Sequence, residues 1–173
     1  MKKYISLLLA VVVSAAFALS CAQTTQQAKT EVKQETTPKV KSDAGDSDMA
    51  VSMINRQVKD FSIDGFPGGS AKLSKNEDLE NMKKIVALVK PVIEKVPDGY
   101  VMQITGHAAN YNSTAMQMSV SKARAAKIYD ELKKAGVPAS KMTYKGVGIN
   151  EPLEGYSDKD PKQRRVSFKA VKK

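Results

Sequence analysis

Arg124 is the side chain in this sequence with the most evident chemical potential. It lies four residues after Val120 and four before Ile128, so on a helix it shares a face with core-directed side chains. A guanidinium on that face is costly unless its tip reaches water or an anion. Two roles fit: a stem packed on the core with a hydrated or acid-paired head, or a clamp whose planar fork takes a carboxylate at two points. Arg164 and Arg165 add two more guanidinium groups. Adjacent on a strand, they point to opposite faces, so only one can line the same groove as Arg124. His107 is the only histidine and Cys21 the only cysteine, which excludes an intramolecular disulfide and a Cys/His zinc cage. His107 reads as a hydrogen-bonding residue ending a strand. Glu151 and Glu154 fall in a turn without catalytic partners, so no enzyme activity, cofactor or metal is expected. The eight Met residues, Met116 and Met118 among them, read as adaptable packing.

The elements that must position these groups follow from periodicity. Met49, Met53, Ile54, Val58 and Phe61 recur at helical spacing and predict a lead-in helix within 49–65. After the Gly-Pro-Gly-Gly break at 65–69, Ser74-Lys75-Asn76-Glu77 has the form of a capping box with Ser74 at the N-cap. A long helix should follow, its stripe running from Leu79 through Met82, Ile85, Val86, Val89, Val92 and Ile93 to Val96, with a kink or slight break at Pro91. Pro97-Asp98-Gly99 turns the chain into a strand from Tyr100 to Thr105, ending at Gly106. A helix from Thr114 to Ala135 ends where Gly136 offers a left-handed cap and Pro138 forbids continuation. Strands are expected over Met142 to Val147 and Arg165 to Val171. Strand, crossover helix and strand between Tyr100 and Val147 make a βαβ unit, normally parallel. The fold class is α+β, helices on a small mixed sheet in two layers.

The first twenty residues are a different material. Lys2 and Lys3 precede an uncharged run from Ile5 to Leu19, and fifteen residues are too few for a membrane span. A basic start, a short apolar middle and small residues match a signal peptide over 1–20. Cys21 stands where such a segment is cut, after Ala18, Leu19 and Ser20, which suggests a bacterial lipoprotein with acyl chains on that cysteine. Each buried CH₂ of such chains contributes roughly 0.8 kcal/mol to membrane attachment. From Ala22 to Asp48 the composition turns to Thr, Gln, Lys, Glu, Ser and Asp, too polar to offset chain entropy by burial, so residues 21–48 read as a disordered tether. Its 27 residues after Cys21 give a root-mean-square reach of about 30 Å.

The ordered series Ile104-Thr105-Gly106-His107, Ser121-Lys122-Ala123-Arg124-Ala125, Lys134 to Met142, Lys145-Gly146-Val147-Gly148, Glu151-Pro152 and Gln163-Arg164-Arg165-Val166 resembles OmpA C-terminal-like domains over roughly Phe66 to Val171. With the lipidated start and Pro97-Asp98-Gly99-Tyr100, it is most similar to spirochaetal, particularly leptospiral, OmpA-like surface lipoproteins. The resemblance implies a βαβαββ domain over 66–173 that holds the stem peptide of peptidoglycan, with Arg124 for the α-carboxylate of a diamino acid and an Asp for its ammonium. That Asp is replaced: the family reads Gly-His-Thr-Asp where this chain reads Gly106-His107-Ala108-Ala109. Gln117 stands where the family usually has Asn, and Val120 where it has Leu. Arg124, Ala109, Asn110, Gln117 and Arg165 are therefore the candidate peptidoglycan-binding residues. Asn110 and Asn112 can accept hydrogen bonds but supply no charge. Losing one charge-assisted bond weakens binding about tenfold to more than a hundredfold, so the resemblance implies a degenerate site.

Charge frames the alternative. The chain carries 28 Lys plus Arg against 18 Asp plus Glu, a net +10. Setting aside Lys2, Lys3 and the tether's net −1 leaves +9 from Val51 onward. A basic surface bearing Lys133, Lys134, Lys141, Lys145, Lys172 and Lys173 suits host or envelope polyanions. Nucleic acid has the charge but not the compartment, and 6% aromatic residues with no Trp exclude a broad stacking platform. The expected location is the outer membrane, lipid-anchored, with the domain in the periplasm or at the cell surface.

Overall fold

Apolar residues alternate along Val166, Phe168 and Ala170, and a strand with that alternation buries one face. The computed structural model describes residues 44–173, in the order α1 (Ala44–Val58), β1 (Ser62–Ile63), α2 (Asn76–Glu94), β2 (Tyr100–Gly106), α3 (Thr114–Lys134), β3 (Met142–Gly146) and β4 (Val166–Lys172). The expected signal peptide, lipidated Cys21 and the tether up to residue 43 lie outside the described residues.

The strands form one sheet in the order β1-β4-β2-β3. β2 pairs with β3 in parallel, Met102 opposite Met142 and Gly106 opposite Gly146, as the βαβ reading expects. β2 pairs with β4 antiparallel, setting Ile104 against Phe168 and Met102 against Ala170. From β1 onward the order is βαβαββ, so the expected α+β, two-layer mixed-sheet architecture is the observed one. One face of the sheet carries Met102, Ile104, Val166 and Phe168 into a core shared with Val89 and Ile93 of α2 and Ile128 and Leu132 of α3. Gln103, Thr105, Lys145 and Lys169 line a shallow cavity on the sheet with Asn55 and Lys59 of α1.

Several boundaries differ from expectation. α1 begins at Ala44, inside the stretch read as tether, because the packed half of the helix, Val51, Ile54 and Val58, carries its polar first turns with it. It ends at Val58, and Phe61 lies beyond it, closing a turn by donating to the Val58 carbonyl at 3.0 Å. β1 falls in the segment assigned to the lead-in helix; its two residues, paired with Ser167 and Val166, are too few to show alternation. Because β1 is short, Asn55 of α1 covers the adjoining edge of β4. Its side-chain amide donates to the Ala170 carbonyl at 3.1 Å and its oxygen accepts from Ala170 N–H at 2.7 Å.

α2 starts after Lys75 with no side-chain cap, so Ser74 is not the N-cap. The helix runs through Pro91 to Glu94; Pro91 is exposed, which lets water serve the carbonyl that its ring leaves without a donor. α3 ends as expected. Gly136 adopts φ +92°, donating to Lys133 at 2.9 Å while Val137 donates to Leu132 at 3.0 Å, a Schellman closure. Of the methionines, Met82, Met102 and Met142 pack, whereas Met49, Met53, Met116 and Met118 are exposed and take no part in the core.

Two glycines set how close α3 comes to the sheet. A β-carbon on Gly106 would overlap the Ser121 carbonyl oxygen, and one on Gly146 would overlap the Lys122 nitrogen. Ser121, fully buried between them, donates to the Met118 carbonyl at 2.9 Å and accepts from Gly148 N–H at 3.0 Å. Arg124 follows less than one turn later.

Candidate functional site

Burial of Arg124 is almost complete, at 1% exposure. Backbone carbonyls meet its head, and no acid among the described residues pairs with it. Nε donates to Ser70 at 3.0 Å, Nη1 to His107 at 2.8 Å and Nη2 to Pro67 at 2.8 Å. Its guanidinium carbon sits 5.4 Å from the centroid of the Phe66 ring. A guanidinium has five N–H donors, so these three bonds leave one on each terminal nitrogen for a ligand. Burial, and secondarily the Arg164 charge, lower its pKa to about 10, which still leaves it cationic at neutral pH. The geometry matches neither role read from sequence: the charge is solvated internally by carbonyls of the loop between β1 and α2 and by that of His107 after β2.

The space beside it is small. Gly68, Gly69, Ala108, Ala109, Gln117 and Arg164 are among the residues around a cavity of about 10 Å³, room for roughly one water. Ala109 is in this lining, 5% exposed, and presents only a methyl group to it. Asn110 is held beside it rather than in it. Its N–H and side-chain amide donate to the Asp158 carbonyl and carboxylate at 2.8 and 2.7 Å. Gln117, buried, donates to the Asn110 side-chain oxygen at 3.0 Å and the Asn112 carbonyl at 2.6 Å. Asp158 is the carboxylate hydrogen-bonded into this network, and it is exposed.

Neither arginine lies on a strand as expected, since β4 begins at Val166 and Arg164 closes the turn Pro161–Gln163; the two still part, and Arg164 is the one at the Arg124 cavity. Its Nε donates to the Phe66 carbonyl at 2.7 Å, leaving both terminal nitrogens free of protein partners among the described residues. Arg165 turns the other way. It donates to the Gln163 side chain at 3.2 Å and the Glu151 carbonyl at 3.1 Å, so it does not join Arg124, Ala109 and Gln117. Gln163, which sequence reasoning passed over, is buried and ties the loop before β4 by bonds to Leu153 and Ser157.

His107 is buried at 2% exposure with both ring nitrogens engaged, Nδ1 with the Glu151 carbonyl at 3.1 Å and Nε2 with the Ser167 hydroxyl at 2.8 Å. Burial first, and the Arg165 charge second, depress its pKa to about 4, so the ring is neutral at pH 7. Since a carbonyl only accepts, Nδ1 carries the proton and Nε2 accepts from Ser167. The residue directly follows β2, donates its own N–H to the Arg165 carbonyl at 2.9 Å, and offers its carbonyl to Arg124.

The basic patch is partly neutralised. Lys127 and Lys134 share Glu131 at 3.2 and 3.0 Å, and Lys145 pairs with Glu151 at 3.1 Å. Lys141 donates to the Val96 carbonyl at 2.7 Å. Among the described residues there is no group of three or more potential metal ligands, and no helix long and apolar enough to cross a membrane.

Comparison with known proteins agrees with this geometry at the level of fold. The model of the OmpA family matches residues 65–166. The OmpA-like domain of FopA1 from Francisella tularensis subsp. tularensis SCHU S4 is similar at 22% identity and a TM-score of 0.51, over 64% of this chain and 69% of that one. The C-terminal domain of Helicobacter pylori MotB is similar at 14% identity and a TM-score of 0.53, over 65% and 84%. The peptidoglycan-associated lipoprotein from Burkholderia pseudomallei is similar at 14% identity and a TM-score of 0.52, over 70% and 99%. No curated protein matches the chain.

Proposed function

This chain belongs to the OmpA family, and from that premise we propose that it is a lipid-anchored outer-membrane protein that associates with peptidoglycan through a degenerate diamino-acid site. Acyl chains on Cys21 hold it to the bilayer, the residues up to the start of α1 act as a tether, and the domain binds without catalysis. The observation that carries the reading is the Arg124 cavity: a buried guanidinium with two N–H donors left, a methyl group at Ala109, and about 10 Å³ of room. An α-carboxylate has a partner there, an α-ammonium has none, and entry requires the Pro67 to Ser70 loop to yield. Association is therefore weak, or altered toward ligands that do not need the missing acid.

The test is capture on insoluble sacculi, with isothermal titration against a wall stem peptide. Ala109→Asp restores an anion beside Arg124 and should tighten binding about tenfold or more. Wild-type affinity equal to that of an Asp-containing relative would remove the claim of degeneracy. Polyanion capture at the cell surface has less support, because Lys134, Lys141 and Lys145 are already engaged within the domain.

A further inference from the structure

Alternation along the strands turns Gln103, Thr105, Lys145, Ser167 and Lys169 to the sheet face away from α2 and α3. Register sets Ser167, Thr105 and Lys145 in one row across β4, β2 and β3, and Lys169 and Gln103 in the next. Lys59, just past the end of α1, completes the rim of the shallow cavity on this face, about 550 Å³. Three ammonium groups thus surround one cavity, and Glu151 is the single acid in its lining, which leaves 3 − 1 = +2. Glu151 engages Lys145 at 3.1 Å, whereas Lys59 and Lys169 form no ion pair among the described residues. Like charges gathered around one cavity repel, and an anion relieves them. The Gln103 amide and the Thr105 hydroxyl add neutral donors; Ser167 does not, because its proton goes to His107. Ammonium groups are compact point charges without a planar fork, which suits phosphate better than a carboxylate held at two points.

We propose that this sheet face docks on a bilayer by taking the phosphate of an anionic lipid headgroup between Lys59, Lys145 and Lys169, with Thr105 and Gln103 orienting it. Shallowness favours a ligand presented by a surface over one that must be enclosed. The length of chain before the domain permits the contact: 22 residues separate Cys21 from Ala44, and that many span at most roughly 75 Å. With acyl chains on Cys21, the anchor proposed above on which this step rests, headgroups stand at high local concentration and weak contacts suffice. Arg124 belongs to α3, which packs on the opposite face, so membrane and wall do not compete for one surface.

The test is cosedimentation of the mature chain, residues 21–173 with Cys21→Ser so that no acyl group anchors it, with phosphatidylcholine vesicles made with and without phosphatidylglycerol. Binding to the anionic vesicles alone is expected, lowered about tenfold or more by Lys59→Gln with Lys169→Gln and raised by Glu151→Gln, which frees Lys145. Taking two charges instead from the opposite side, by Lys84→Gln with Lys133→Gln, should change binding less than about threefold. Equal loss in the two double variants overturns the site in favour of undirected attraction. Binding to heparin without binding to vesicles overturns it in favour of a polyanion, and no sedimentation at all overturns it outright. Sacculus capture and the mass of the membrane-extracted protein test the wall reading and the Cys21 anchor separately, so either can fail without the sheet face failing.

Discussion

Neutral His107 gives the domain a pH dependence of predictable sign. Its folded pKa, about 4, lies below the ordinary 6.5, so between those values the unfolded chain binds a proton that the folded chain refuses. Its stabilising share is complete above pH 6.5 and is lost as pH falls toward 4, at a cost of about 3 kcal/mol. Urea unfolding at pH 7 and pH 4.5 should show this loss, and His107→Asn should flatten the difference; parallel profiles in both proteins would contradict it. At this scale sequence was informative about which residues matter and silent about what they touch. Arg124 was legible as a cation on a core-facing stripe. Its partners were not, because the carbonyls of Pro67, Ser70 and His107 carry no side-chain signature. Alternation was read into Arg164 and Arg165 although both precede β4; which of them faces Arg124 is set by the path of the loop that Gln163 holds.

Gly106 and Gly146 show what the family-like motifs are for at the scale of elements. They sit opposite each other at the ends of β2 and β3, and both lie against the backbone of α3 at Ser121 and Lys122. Gly106→Ala should push α3 from the sheet and cost about 1–3 kcal/mol, read as a lowered urea midpoint at unchanged slope. A loss below about 0.5 kcal/mol would mean that the helix shifts freely. The elements with full stripes and marked ends, α2, β2, α3 and β4, were legible because their periodicity extends over several turns or alternations. β1 was not, since two residues have no period. Ser74 matched a capping pattern without capping, because the helix begins one residue later than the pattern implies. The start of α1 was hidden by polar residues that become helical only through the packing of Val51, Ile54 and Val58.

The whole domain carries a large positive charge, and its dependence on salt discriminates between the functions open to it. Phosphate-like polyanion binding through six to ten contacts falls about 10³- to 10⁵-fold between 50 and 200 mM salt. Sacculus association should instead fall by less than about tenfold over that range, because one buried guanidinium meets a single carboxylate rather than a run of phosphates; a steep slope would favour the polyanion reading. The loop between β1 and α2 is fastened from outside itself, by a guanidinium on a helix and another before the last strand, both reaching its carbonyls. A side chain proposed to recognise a ligand is thereby also enlisted in holding the scaffold. A lineage with this arrangement can abandon the ligand and still find the arginine impossible to discard, so its persistence in a relative is no proof that wall capture persists there.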